Sequence, residues 1–293
     1  MSRVPVPAFG RWDGHCHTAF SRRDGVDDTA QFARRAAALG FERLSLTEHP
    51  TFPAGLIPEA LRQEIYLDDD GLERYVAVAE RLRDTLRGRL DIRIGFEVDF
   101  VPGRPDYALG YLERYAARAD DATLSVHFLP TSAGVVPIDI DPDQLAADLV
   151  VPMGGMDAVR RLYWETVEEA LERATAWGLG YPQRLSHLDV IGKFRDRFPL
   201  ADPGADHRRA LAVLAKAHAH GFALDVNAKG ADLPLRREAY PERALLEAAY
   251  AMGIPLVYGS DAHSSGEVGR HRDALVALVS SLGPRQDEGP PAP

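Results

Sequence analysis

Seven short apolar runs, each followed by a longer amphipathic segment, repeat from Trp12 to about Leu282 without a break in composition. That rhythm leaves few folds open, because strands joined through helices pair in parallel. The runs that read as strands are Trp12–His17, Arg43–His49, Ile92–Phe100, Ala122–Phe128, Arg184–Val190, Ala223–Asn227 and Leu256–Asp261. Helices are expected over Asp27–Leu39, Gly71–Arg87, Tyr107–Ala117, Met156–Trp177, His207–His220, Pro241–Met252 and Val268–Leu282. Several stop at a glycine (Gly40, Gly178, Gly221, Gly253), the residue best suited to the left-handed turn that closes a helix. The pattern predicts a single-domain α/β fold, a closed or nearly closed barrel over residues 1–282. Residues 283–293, rich in Pro and Gly, read as a disordered tail.

Two stretches depart from the rhythm. Thr51–Asp70 reads as a loop with a short helix, and Pro130–Gly155 as a long loop rich in Pro, Gly and Asp. Both follow strands that carry histidine. In a (β/α) barrel the loops after the strands build the active-site face, so both are expected as walls or lids.

Six of the ten histidines lie in or just after the apolar runs, each near an acidic residue: His15 and His17 in DGHCHT, His49 in LSLTEH, His127 in LSVHFL, His187 in RLSHLD and His263 in GSDAH. A further strand, IGFEVDF, carries Glu97 instead. Residues two apart on a strand share a face. His15 and His17 therefore point together and Cys16 points away; Glu97 with Asp99, and Asp261 with His263, repeat that spacing. Two imidazoles so placed can hold one metal ion, although HxH alone fits two satisfied polar histidines equally well. Glu97 stands among Ile94, Phe96, Val98 and Phe100, where a carboxylate is costly unless paired or metal-bound. Glu48 and His49 are adjacent and cannot both face inward along a strand; His49 is favoured as the ligand with Glu48 behind it, the reverse assignment staying open. Convergence of this many imidazoles on one barrel face points to a metal site. His207, His218, His220 and His271 lie in helical segments among Ala, Arg and Lys and read as solvated.

The net charge of −10 argues against a surface that binds long nucleic acid, which needs clustered Lys and Arg. It leaves a small anionic substrate open, since metal ions reverse the local field. Phosphate-binding candidates are Lys193 and Arg195, close after His187, and Arg160, at the head of the helix after the second long loop. Arg161, Lys229 and Arg270 are further cations of the same kind. Asn227 ends the strand without histidine, where it either bonds substrate or caps a turn. The single cysteine allows no internal disulfide, and no run approaches the ~18 apolar residues of a membrane span. With no signal-peptide pattern at the start, a cytoplasmic enzyme is expected.

The ordered set HCHTAFSRRDG, SLTEHP, GFEVDF with VPG, SVHFL, SHLDVIGKF, VNAKG and GSDAH resembles the polymerase-and-histidinol-phosphatase (PHP) superfamily, most closely its histidinol-phosphatase branch. The resemblance runs from about Trp12 to Arg270. It implies a distorted (β/α)7 barrel with a trinuclear centre of divalent Zn, Mn or Fe. Carried over motif by motif, one ion would take His15, His17, Glu97 and Asp261. A second would share Glu97 and add His127 and His187. The third would take His49 and His263 with Asp24, which stands in an SxxDG arrangement where members of this branch often carry another histidine.

The implied reaction is hydrolysis of a phosphomonoester, L-histidinol phosphate, in histidine biosynthesis. Such a centre supplies a low-pKa water as nucleophile and offsets charge on the phosphate oxygens. Glu97 would bridge metals, Asp261 or His263 would serve the leaving oxygen, Arg160, Lys193 and Arg195 would hold the phosphate, and Glu48 or Asp99 would meet the substrate's ammonium group. The competing readings are a related phosphoesterase acting on nucleotides or nucleic-acid ends, a metal-dependent sugar isomerase, and an inactive metal-bound binding module.

Overall fold

The computed structural model describes residues 7–20, 28–180 and 183–283. Asp24 and residues 284–293 lie outside the described residues. Seven parallel strands close into a barrel in sequence order: β1 (Trp12–Cys16), β2 (Arg43–Glu48), β3 (Asp91–Asp99), β4 (Asp121–Ser125), β7 (Arg184–Leu185), β8 (Ala223–Asn227) and β9 (Leu256–Gly259). Asp13 opposite Tyr258 closes the ring. The intervening strands β5 (Phe128–Thr131) and β6 (Gly134–Pro137) form an antiparallel hairpin outside it. Around the barrel run α1 (Thr29–Ala38), α3 (Asp69–Thr85), α4 (Tyr107–Tyr115), α6 (Met156–Ala176), α7 (Pro203–Ala219), α8 (Arg243–Ala251) and α9 (Arg272–Ser280), with the short α2 (Glu59–Ile65) and α5 (Pro142–Leu145) in the two long connections. No helix among the described residues is long and apolar enough to cross a membrane.

The strands alternate sharply. Leu44, Leu46, Ile92, Ile94, Phe96, Val98, Leu124, Leu224, Val226 and Tyr258 join one hydrophobic cluster with helical residues such as Phe32, Ala36, Leu72, Val76 and Val167. Cys16 belongs to the same layer. The alternate residues, Ser45, Thr47, Glu97, Asp99, Thr123, Ser125, Asp225 and Asn227, are buried and polar. The apolar core is thus the shell between strands and helices, and the barrel's lumen is polar. At the strand starts the lumen is closed by charge pairing: Arg184 bonds Asp121 (3.1 Å) and shares the Trp12 ring with Arg43.

Three expected elements are shorter or displaced. Arg184–Val190 is a strand only to Leu185, because His187 takes a positive φ of 22° and Val190–Phe194 coils into a 3₁₀ turn. This leaves β4 and β7 joined through one pair, Leu124 with Leu185, which is the distortion of the barrel. Ala122–Phe128 ends as a barrel strand at Ser125, and Phe128 starts the hairpin instead. The last helix begins at Arg272 rather than Val268, after a capping box at Ser264–Glu267 and a left-handed Gly269. The two long connections are held against each other at the barrel mouth by a second apolar cluster of Phe52, Ile57, Tyr66, Val101 and Phe128.

Candidate metal centre

Glu97, at the inward face of β3 and 1% exposed, is the hub of the lumen. Its Oε2 lies 3.2 Å from His15 Nε2, 3.2 Å from His17 Nε2 and 3.3 Å from His49 Nε2. Its Oε1 lies 2.8 Å from His187 Nε2 and 3.6 Å from His127 Nε2, and accepts from Ser125 Oγ at 2.7 Å. Among the described residues, three groups of donor atoms close to within 4.8 Å: His15, His17 and Glu97; His17, Asp261 and His263; Glu97, His127 and His187. The left-handed backbone at His187 and at Asp261 (φ 50°) is a conformation that non-glycine residues rarely adopt.

The imidazoles are oriented from behind. His15 Nδ1 bonds Asp225 Oδ2 at 2.8 Å, and His127 Nδ1 bonds Asp99 Oδ1 at 2.6 Å. Asp99 in turn accepts from Tyr66 Oη at 2.6 Å. Glu48 Oε2 lies 3.7 Å from His17 Nδ1, and Oε1 accepts from Thr18 N at 2.7 Å. Asn227 Nδ2 donates to Asp225 and to Asp261 at 3.2 and 3.1 Å, tying β8 to the end of β9. One ring nitrogen on the cluster and the other on an outer carboxylate is the arrangement that fixes tautomer and direction in metal-binding histidines.

The electrostatics fit cations. Burial opposes an ionised Glu97, yet His49 and His15 hold its pKa well below the usual range. Asp261 is lowered in the same way, burial being outweighed by Lys229 and His15. Burial opposes protonation of His15, but Glu97, Asp261 and Asp225 raise it to about 10. His127 also reaches about 10, through Asp99 and Asp139 against burial. Burial takes His49 down to about 4. His127 Nε2 and His187 Nε2 face each other at 3.1 Å, while His187 Nδ1 is buried with no hydrogen-bond partner among the described residues. Ionised carboxylates ringed by imidazole nitrogens at these separations suit divalent cations, which replace the protons the cluster otherwise holds.

The fold brings together eight expected ligand positions: His15, His17, His49, Glu97, His127, His187, Asp261 and His263. The expected anion contacts divide. Lys193 lines the ≈ 300 Å³ cavity over the cluster, as does Lys229, whose Nζ is 3.1 Å from Asp261 Oδ1. Arg160 does not reach it: on α6, it faces α7, where Asp206 accepts from its Nε at 3.0 Å and Trp164 lies alongside. Arg195 pairs with Glu238 and, like Arg160, lines a separate cavity. Glu48 is fully buried behind His17 and does not line the cavity over the cluster. Asn227 is likewise buried; its side chain caps a turn by accepting from Lys229 N at 3.0 Å. Sequence reasoning missed Asp225, Tyr66, Asp139 and Tyr240. Only Asp225 left a signal: it shares a strand face with Asn227 and is a charge inside an apolar run, as Glu97 is.

Comparison with known proteins turns this geometry into a lineage. The PHP domain model matches residues 13–229, more than half of the chain. The chain belongs to the PHP family. Within it, this PHP chain is 32% identical over 266 residues to the histidinol-phosphatase of Bacillus subtilis, covering 90% of this chain and 97% of the relative. A Listeria monocytogenes structure described as a candidate histidinol phosphatase superposes with a TM-score of 0.84 at 28% identity, over 90% of this chain and 99% of that one. The Lactococcus lactis histidinol phosphate phosphatase, solved with zinc, L-histidinol and phosphate, shares the fold with a TM-score of 0.65 at 18% identity, over 94% of this chain and 95% of that one.

Proposed function

We infer that this chain is a histidinol-phosphatase, a metal-dependent phosphomonoesterase that converts L-histidinol phosphate and water to L-histidinol and phosphate. One observation carries the reading: five imidazoles converge on Glu97 in a chain 32% identical, over 90% of its length, to an enzyme of that name. We assign three divalent ions, Zn, Mn or Fe, to His15, His17, Glu97 and Asp261; to Glu97, His127 and His187; and to His49, His263 and Asp24. When bound, such ions supply an acidified water as nucleophile and neutralise charge on the phosphate oxygens. Glu97, whose two oxygens face different histidines, would be shared between the first two sites. Lys193 and Lys229, both on the cavity wall, hold the phosphate in place of Arg160 and Arg195. The P–O bond to the alcohol would break as the water oxygen bonds phosphorus; the water's proton would pass to solvent, and the alcohol oxygen would take its proton from the Lys229 ammonium on the cavity wall, which solvent would restore. The apolar wall of Ile65, Phe128, Pro137 and Ile140 receives the alcohol portion, with Asp139 and Glu64 available to its cationic groups. A cytoplasmic setting belongs to the same proposal and accords with a lone, buried, unpaired Cys16.

The deciding experiment is phosphate release from L-histidinol phosphate by metal-reconstituted protein, beside a mononucleotide and p-nitrophenyl phosphate. Strong preference for histidinol phosphate is expected. Loss of more than about 100-fold in kcat/KM is expected in Glu97→Gln, because replacing even an outer partner of a metal ligand typically costs about 10–100-fold. Turnover of the other esters alone would move the protein to another phosphoesterase branch.

A further inference from the structure

Tyr240 lines the cavity above the metal centre, is 2% exposed, and its hydroxyl has no hydrogen-bond partner among the described residues. A buried hydroxyl left in that state is unfavourable, and phenylalanine would fill the same slot without the penalty. The ring is nevertheless fixed on several sides. Its backbone exchanges two hydrogen bonds with Asn227 at the end of β8, at 2.7 and 2.8 Å. The Arg236 guanidinium stacks 3.7 Å from the ring centroid and is itself held by Asp189 Oδ2 and the Ala239 carbonyl, both at 2.8 Å. Gly230 leaves room for the ring; a Cβ there would stand 2.9 Å from Cε2. The edge of the ring meets His187, with centroids 6.1 Å apart.

We propose that the Tyr240 hydroxyl donates a hydrogen bond to the phosphoryl group of the bound substrate. The proposal rests on the phosphatase reading above. A phosphoryl group carries several acceptor oxygens and no obligatory donor, so a cavity that binds it must present donors. Lys193 and Lys229 supply two on this wall, and each is already engaged with an acidic residue, Asp139 and Asp261 respectively. Tyr240 supplies a donor committed to nothing else. Its place beside His187 puts it next to the ligand cluster rather than on the apolar wall of Ile65, Phe128 and Ile140, which suits the alcohol portion.

Tyr240→Phe keeps the ring, the stack on Arg236 and the backbone bonds. Inorganic phosphate is titrated calorimetrically into the metal-loaded wild type and variant, with metal content and Tm recorded for both. Phosphate affinity is expected to fall about tenfold or more, the usual effect of losing a hydrogen bond to a charged group. kcat/KM for histidinol phosphate and for p-nitrophenyl phosphate should fall by similar factors, while metal content and the Tm of the phosphate-free protein do not fall. Unchanged phosphate affinity overturns the proposal whatever the esters do. So does a loss accompanied by lower metal content or Tm, which would make the hydroxyl structural. If the wild type binds phosphate but leaves histidinol phosphate untouched, the substrate reading fails and the role of Tyr240 is still decided by the titration.

Discussion

Asp225 illustrates how much of this centre lies behind its ligands. Its carboxylate is fully buried, accepts from His15 Nδ1 at 2.8 Å and receives Asn227 Nδ2 at 3.2 Å. Asp225→Asn keeps the volume but removes the charge that sets the tautomer presenting Nε2 to Glu97. Metal affinity, measured by competition with a chromophoric chelator, is expected to drop about 10–100-fold with the far-ultraviolet circular dichroism unchanged. An unaltered affinity would mean that His15 needs no such partner. The candidate ligand positions were legible in the sequence because histidines and a carboxylate stand in or just after apolar runs, and at His15 with His17 and at Glu97 a spacing of two on the strand fixes a shared direction. Tyr66 and Asp139 were not legible, since they sit in the two long connections, where no periodicity reports orientation. Arg160 was misread because chain proximity to a mouth loop says nothing about which neighbour captures a guanidinium; Asp206, 46 residues on, does so.

At the scale of the elements, the strand ends approach closely enough that one methyl group matters. A Cβ on Gly259, the last residue of β9, would fall 2.1 Å from Asp225 Oδ1 and 2.8 Å from His15 Cβ. Gly259→Ala must therefore push β9 away from β8 and β1 or rotate the two side chains that aim the cluster. Destabilisation of about 1–3 kcal/mol is expected from overpacking, together with weaker metal retention through dialysis. Gly266→Ala is the control, with open space around its Cβ. Full metal retention in Gly259→Ala would show that the strand ends yield without disturbing the site. The pairing of strand with helix was readable because each barrel strand sets an apolar face on the helical shell. The shortening of β7 was not, because RLSHLDV has strand composition throughout. What ends the strand is tertiary: Asp189 is drawn to Arg236 at 2.8 Å, and the chain turns at His187.

For the molecule as a whole, the polar lumen makes stability and metal content one property. Ions that bind only the folded chain stabilise it by about 2.7 kcal/mol at a hundredfold excess over Kd, which at about 2–4 °C per kcal/mol corresponds to roughly 5–11 °C in Tm. Chelation should lower Tm by that order. The size of the drop should also depend on pH, in a direction set by His15 and His127, both raised to about 10 in the metal-free fold. A histidine raised on folding adds stability that is complete below its unfolded value, near about 6.5, and is lost as pH rises through the folded value. Between about pH 7.5 and 9.5 the metal-free fold still holds these protons while the unfolded chain has lost them, so its stability falls steadily as pH rises. The metal-loaded protein has already surrendered those protons on binding, because a metal takes the neutral ring. The gap in Tm between loaded and chelated protein should widen across that window, and metal addition near pH 7.5 should release protons into a weakly buffered indicator solution. A gap that is constant or narrows, with no proton release, would mean that the imidazoles around Glu97 are neutral before any ion arrives.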